Sequence, residues 1–285
     1  MSGISRDRVP VDAGAGSDAE FSVSSPVPHV VVMTIDRPPA NAFDLGAYKA
    51  ATRAFIGVNA DPGARAVVFT GAGQRAFCAG SDHRAFDDPR AAREVLFAST
   101  RFFEAFDACA VPVISALNGP AVGAGAMVAA ASDVVIATPH AYLAIPEVQI
   151  GIVGGASHLL MSLPSAKVSR MLLLGERLTS QEGLHLGIVA EIVEPDGLFA
   201  SALRIASQVA ALDPDAVCEG RYILRDARRR EAMAGFRSEL AAIERLRSPS
   251  PRSSVGARAV DTETWEAWSA RSNLLNGKQF HGEIS

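Results

Sequence analysis

Apolar residues in this chain cluster in short runs bounded by glycine, proline and small polar residues. Residues 66–70 (AVVFT) form an apolar run of strand length, the pattern expected of a strand covered on both faces, and residues 112–117 (PVISAL) read as another buried strand. Residues 21–25 and 29–35 predict a hairpin or two short strands, split by Pro26 and Pro28. Elsewhere the period lengthens to that of a helix. Asp44 is placed to cap a helix reaching about Asn59, with Leu45, Tyr48, Phe55 and Val58 on or near one face, and Asp61-Pro62-Gly63 ends it. Residues 91–109 predict a second helix, the small-residue stretch 124–132 a third, and residues 133–137 a further strand. Strand, helix and strand joined by short links predict parallel pairing through right-handed crossovers. Beyond residue 157 the pattern is mostly helical. Helices are expected at 165–174, after Thr179 (capping-box spacing to Glu182) and at 197–211, with a short strand at 191–193. Residues 221–247 read as an arginine- and glutamate-laced helix whose charges, Glu239 and Glu244 included, sit on a solvated face. Residues 1–20 are expected to be a disordered tail and 248–256 a flexible link.

Length and composition narrow the function classes. At 285 residues the chain holds one large α/β domain with tails or two small ones. A net charge of −4 with 6% aromatic residues argues against a disordered acidic chain and against a basic nucleic-acid binder. No apolar run reaches membrane-spanning length, and the first twenty residues hold no apolar signal core. Cys78, Cys109 and Cys218 are far apart and show no C-x-x-C spacing, which suits a reducing cytoplasm. No metal site and no separate cofactor is expected.

Two segments carry backbone chemistry. Phe77-Cys78-Ala79-Gly80-Ser81-Asp82 and Asn118-Gly119-Pro120-Ala121-Val122-Gly123-Ala124-Gly125 each follow a buried strand, and the second opens directly into a helix. Small residues at a helix N-terminus leave N–H groups free, with the positive end of the helix dipole behind them. Such groups bind an oxygen that carries or develops negative charge. Either loop alone also fits an ordinary turn. Neither matches a dinucleotide fingerprint, a Walker loop or a nucleophile elbow.

The ordered set of segments is more specific than its parts. DRPPANAF at 36–43, VVFTGAGQRAFCAGSD at 67–82, NGPAVGAG at 118–125, IPEVQIGIVGGAS at 145–157 and LLLGERLTSQEGLHLGIVAEIV at 172–193 together resemble the crotonase (enoyl-CoA hydratase/isomerase) family. The resemblance spans residues 21–210 and weakens after about 215. It implies an α/β crotonase-like fold of repeated ββα units, with residues 211–285 a helical C-terminal arm or trimerisation region. It implies a homotrimer or a dimer of trimers (a homohexamer), and an acyl-CoA thioester as substrate, coenzyme A being part of that substrate. It also implies that the backbone N–H groups of Ser81 and Ala124 form an oxyanion hole. Ala79, Ser81, Asp82, His83, Arg84, Ala124, Met127 and Gly155 then line the substrate site, with Asp82 fixing its loop.

This chain departs from the family's hydratases at one position. They carry two glutamates, and here one position holds Glu147 while the other holds Met127. Methionine transfers no proton, whereas hydration needs proton transfer both at water and at Cα. One base suffices to take a proton from Cα and return it at Cγ, so the expected activity is Δ3,Δ2-enoyl-CoA isomerisation by Glu147. Its expected apolar wall of Ile145, Val148, Ile150 and Met127 would raise the glutamate's pKa. Two alternatives stand beside it. One is an atypical hydratase or C–C bond hydrolase with another acid, His158 being a candidate. The other is a member of the fold that binds acyl-CoA without catalysis. His158 equally suits a structural role near a helix start. Cys78 reads as a packed side chain, and the arginines of 221–230 as a solvated face or a phosphate patch.

Overall fold

The computed structural model describes residues 20–247, so the expected N-terminal tail, apart from Glu20, and the expected link at 248–256 lie outside the described residues. The chain opens with the predicted hairpin, β1 (Phe21–Val27) and β2 (Val30–Ile35), paired antiparallel. β1 runs through Pro26 because the register slips between Ser24 and Val27, where a residue without an N–H is tolerated. Helix α1 (Leu45–Ala60) starts at Asp44, whose carboxylate accepts from the Ala47 N–H at 2.8 Å. Strand β3 (Ala66–Gly71) follows, then helix α2 (Pro89–Asp107). α2 begins two residues before its predicted start because Asp88 caps it and Pro89 suits the first turn. Strands β4 (Val113–Leu117) and β5 (Ala121–Val122), helix α3 (Ala124–Ala131), and strands β6 (Val134–Ala137) and β7 (Tyr142–Ala144) come next. The helical part holds α4 (Ala156–Leu159), α5 (Ser165–Leu174), β8 (Leu178–Thr179), α6 (Ser180–Leu186), β9 (Glu191–Ile192), α7 (Pro195–Ala210) and α8 (Pro214–Arg247). The predicted capping box is present: Thr179 Oγ1 accepts from the Glu182 N–H, and Glu182 accepts from the Thr179 N–H at 3.0 Å.

The main sheet has the order β1-β2-β3-β4-β6-β9 and is parallel from β2 onward. Alternate residues serve two cores. Val31, Met33, Val67, Phe69 and Val113 face the side of α1, α2 and α3, while Val30, Val32, Val68, Ile114 and Ala116 face α7. That double cover is why these strands are apolar throughout. α7 presents Leu198, Ala202, Ala206 and Ala210, four residues apart, so small side chains let it lie close on the sheet. Opposite, Phe43, Tyr48, Phe55, Phe102 and Phe106 interlock with ring centroids 4.5–6.0 Å apart. Each such buried ring contributes on the order of 2–3 kcal/mol.

A second sheet, β5-β7-β8, is too short to show in the sequence pattern. α8 corrects the expectation of a solvated arginine face at two positions, Arg221 and Arg225. Arg221 pairs with Asp133 at 2.8 Å and donates to the Cys109 carbonyl. Arg225 donates to the carbonyls of Phe106 (3.1 Å), Asp107 (2.9 Å) and Ala131 (3.0 Å). Those are the last residues of α2 and α3, where helix carbonyls lack intrahelical partners. One partly buried guanidinium therefore closes two helix ends and fastens α8 across them. Near its far end Gly235 permits close approach, since a Cβ there would lie 2.6 Å from the Ser157 Cβ. Among the described residues no helix is long and apolar enough to cross a membrane.

Candidate active site

Two asparagines of the sequence motifs shape the first glycine loop. Asn41 donates to the carbonyls of Ala72 (3.0 Å) and Ala76 (2.8 Å). Asn118 donates to Gly73 (2.8 Å) and Ala76 (3.2 Å), and its Oδ1 accepts from the Gly71 N–H. The loop then pairs with its neighbours through single bridges, Phe43 to Ser81 and Cys78 to Ala121. This sets the two glycine segments side by side: a Cβ on Gly80 would lie 3.6 Å from the Ala124 nitrogen.

The bridge to Phe43 uses the Gly80 carbonyl and the Asp82 N–H, which turns the Ser81 N–H to the other side. Ala124 is the first residue of α3, where an N–H has no intrahelical acceptor. It keeps a negative φ, so alanine is unstrained there, and the left-handed conformation falls on Gly123 (φ 54°). Gly123 is also where Glu147 arrives. Any Cβ on Gly123 would run into Glu147 Oε1.

Glu147 opens a single 3-10 turn after Pro146 and lines a cavity of about 710 Å³. The residue keeps partial access to the cavity, but its Oε2 is buried and has no hydrogen-bond partner. Burial pushes the carboxyl pKa up to about 8, its own backbone N–H opposes the shift, and the negative charge of Glu239 adds to it. The expected apolar wall is only partly there. Met127 is buried and lines the cavity and Ile145 is fully buried, but Val148 is exposed to solvent. The Ile150 side chain lies outside the described set.

Ala79, Ser81, Asp82, His83, Arg84, Ala124, Met127, Glu147 and Gly155 all line this one cavity. Asp82 caps the short turn that carries His83 and Arg84, accepts from Arg84 Nε at 2.9 Å, and meets Arg37 at 3.3 Å. The hydrogen bonds from Arg84, against the opposing effect of burial, hold the Asp82 pKa down at about 2. His83 and Arg84 are exposed at the cavity edge. Tyr48 also lines the cavity, with its hydroxyl 2.7 Å from Ser81 Oγ. Among the described residues no group of His, Cys, Asp or Glu is arranged to hold a metal ion.

His158 is the exception among the candidates. It does not line the cavity. It is wholly buried between Phe103 and Phe236, with ring centroids at 4.8 and 5.3 Å, and neither ring nitrogen has a hydrogen-bond partner. Burial pushes its pKa down to about 4. An imidazole shut behind two phenyl rings reaches no substrate, so the tentative catalytic role of His158 gives way to a packing role. The unfolded chain takes up this proton near the ordinary histidine pKa and the folded chain only near 4, so stability falls as pH drops between them. His158→Leu is therefore expected to flatten the loss of stability between about pH 6.5 and 4, read by urea denaturation at a series of pH values. An equally steep acid loss in the variant would refute this.

Sequence patterning missed one wall of the site. Phe236, Glu239, Leu240 and Ile243 of α8 line the cavity at helical spacing. Glu239 is buried, and its carboxylate accepts from the N–H groups of Gly155 (3.1 Å) and Ser157 (2.7 Å). The apolar stripe 236, 240, 243 was the available signal. The flanking arginines obscured it.

A family profile described as enoyl-CoA hydratase/isomerase matches residues 28–251. The chain belongs to the enoyl-CoA hydratase/isomerase family. It is therefore an enzyme of a family that processes acyl-CoA thioesters, and its fold is the crotonase fold. Its curated relatives include a carnitinyl-CoA dehydratase of Salmonella arizonae, 37% identical over 73% of this chain and 81% of the relative. Another, of Proteus mirabilis, is 39% identical over 69% and 77%. An enoyl-CoA hydratase/isomerase structure from Xanthobacter autotrophicus superposes with a TM-score of 0.78 at 28% identity, over 90% of this chain and 98% of that one.

Proposed function

We propose that this enzyme forms the enolate of an acyl-CoA thioester, Glu147 moving the proton at Cα, and that the overall reaction adds water across, or removes it from, the Cα–Cβ bond. The observation that carries this reading is the meeting of Glu147 with Gly123 in the cavity that Ser81 and Ala124 also line. A thioester oxygen gains negative charge as Cα loses its proton, and two N–H donors fixed at that oxygen stabilise it without reorganising. A carboxyl group whose pKa lies near 8 is useful as base and as acid close to neutral pH. Exposed Arg75 and Arg84 at the cavity edge supply local positive charge for the phosphates of coenzyme A, which a net charge of −4 does not supply overall.

The carnitinyl-CoA dehydratases among its relatives favour addition and elimination of water. A second reading, Δ3,Δ2-enoyl-CoA isomerisation, is favoured by Met127, which leaves one proton carrier where the family's hydratases are expected to hold two. Both share the enolate. Incubating the protein with a panel of saturated, 2-enoyl, 3-enoyl and 3-hydroxyacyl-CoA thioesters in deuterium oxide separates them. Deuterium at Cα with interconversion of 2-enoyl and 3-hydroxyacyl thioesters is expected. Conversion of 3-enoyl to 2-enoyl thioesters alone would select the isomerase, and binding without exchange would remove catalysis altogether.

A further inference from the structure

We infer that Glu239, carried by the C-terminal helix α8, is the second acid–base residue of this site and serves the β-carbon, in place of the carboxylate missing at position 127. This rests on the enolate reading above and adds the group that a water-adding enzyme needs besides Glu147.

The geometry is contiguous. Glu147 Cγ lies beside Gly154, 3.9 Å from where a Cβ on that glycine would sit. The next residue, Gly155, donates its N–H to Glu239 Oε2 at 3.1 Å. Glu147 and Glu239 thus approach neighbouring glycines of one loop, both residues line the same cavity, and the charge of Glu239 is felt at Glu147. Between them the wall is narrow and apolar: a Cβ on Gly155 would lie 2.6 Å from Ile145 Cγ2 and 3.7 Å from Met127 Cγ. Met127 thus closes one side of the pocket, and the second carboxyl enters from α8.

The two groups differ in their hydrogen-bond partners. Glu147 has an unpartnered oxygen and favours its protonated form. Burial raises the pKa of Glu239 as well, but hydrogen bonds from Gly155 and Ser157 act against that rise and favour the carboxylate. In hydration, the Glu239 carboxylate takes a proton from water as that oxygen bonds to Cβ. The π pair moves through Cα to the thioester oxygen, and the neutral Glu147 then delivers its proton to Cα. The proton on Glu239 returns to Glu147 through solvent. Dehydration runs in reverse: ionised Glu147 takes the Cα proton, and neutral Glu239 protonates the departing hydroxyl. No metal or redox partner enters the balance.

The test is Glu239→Gln, which keeps an oxygen able to accept a backbone N–H and removes the transferable proton. Two rates are compared with wild type: hydration of a 2-enoyl-CoA, and Cα–H exchange of a saturated acyl-CoA in deuterium oxide. Hydration is expected to fall by roughly 100-fold or more, and exchange by less than about tenfold. Equal losses in both rates would make Glu239 a positioning residue only, and hydration near the wild-type rate would also overturn the assignment. Should the variant not fold, the pH profiles of the wild-type protein decide. Hydration should be bell-shaped, needing one protonated and one ionised carboxyl, whereas exchange should follow a single ionisation. A single ionisation for both would refute the proposal. Exchange without hydration in the wild-type protein would overturn Glu239 alone, and no exchange on any acyl-CoA would remove the enolate reading with it.

Discussion

Glu147→Gln is expected to lower Cα–H exchange and turnover by roughly a thousandfold while raising stability at alkaline pH. The first effect is the loss of the group assigned to the Cα proton, within the usual range for a general acid–base residue. The second follows from linkage. The folded Glu147 carboxyl holds its proton up to about 8, whereas the unfolded chain releases it near the ordinary value of 4.5. Between those values the folded state binds more protons, so wild-type stability falls as pH rises. Glutamine has no charge to bury, and the variant's melting temperature should exceed that of wild type increasingly from pH 5 to pH 9. Thermal melts across that range, read beside exchange rates, check both halves. A variant that is slow and no more stable at pH 9 would mean that Glu147 is solvated. In wild type, exchange by the ionised base should climb with pH and level off above about 8.

Arg225→Met is expected to cost about 3 kcal/mol or more, because it removes the donor shared by three carbonyls at the ends of α2 and α3 and takes one positive charge from beside Asp107 and Asp133. For a domain of this size that is a fall in melting temperature of roughly 6–12 °C. Arg225→Lys should recover only part of it, since a single ammonium cannot reproduce the planar fork that spans two helix ends. A melting temperature within a degree of wild type would show that α8 is held by its apolar stripe instead. Activity should fall beyond the change in folded fraction, because α8 also brings Phe236 and Glu239 to the cavity.

The sequence made the framework of this fold legible because its strands and helices obey simple periods. The doubly covered strands read as unbroken apolar runs, and Asp44 and Thr179 mark helix starts by their own chemistry, whereas the cap at Asp88 went unread. Strands β5, β7 and β8 were not legible: two or three residues hold no period. At the site, the two glycine loops and Glu147 could be named from local motifs, and they do line one cavity. His158 misled because proximity along the chain says nothing about which way a ring turns; it turned into the aromatic core. Glu239 was hidden for the opposite reason. It lies 92 positions after Glu147, on a helix whose charge pattern looks solvated, and only packing reveals that Arg221, Arg225 and Glu239 face inward.

The dependence of the cavity on α8 also has a meaning in time. A ribosome delivers this chain from its N-terminus. Once α7 has emerged, the sheet, both glycine loops and Glu147 are all outside the exit, yet the pocket still lacks the wall made by Phe236, Glu239, Leu240 and Ile243. A nascent chain at that stage has an open groove, not an enclosed pocket. Enclosure needs the last described helix, which Arg225 fastens to the ends of two helices that precede it by more than ninety residues.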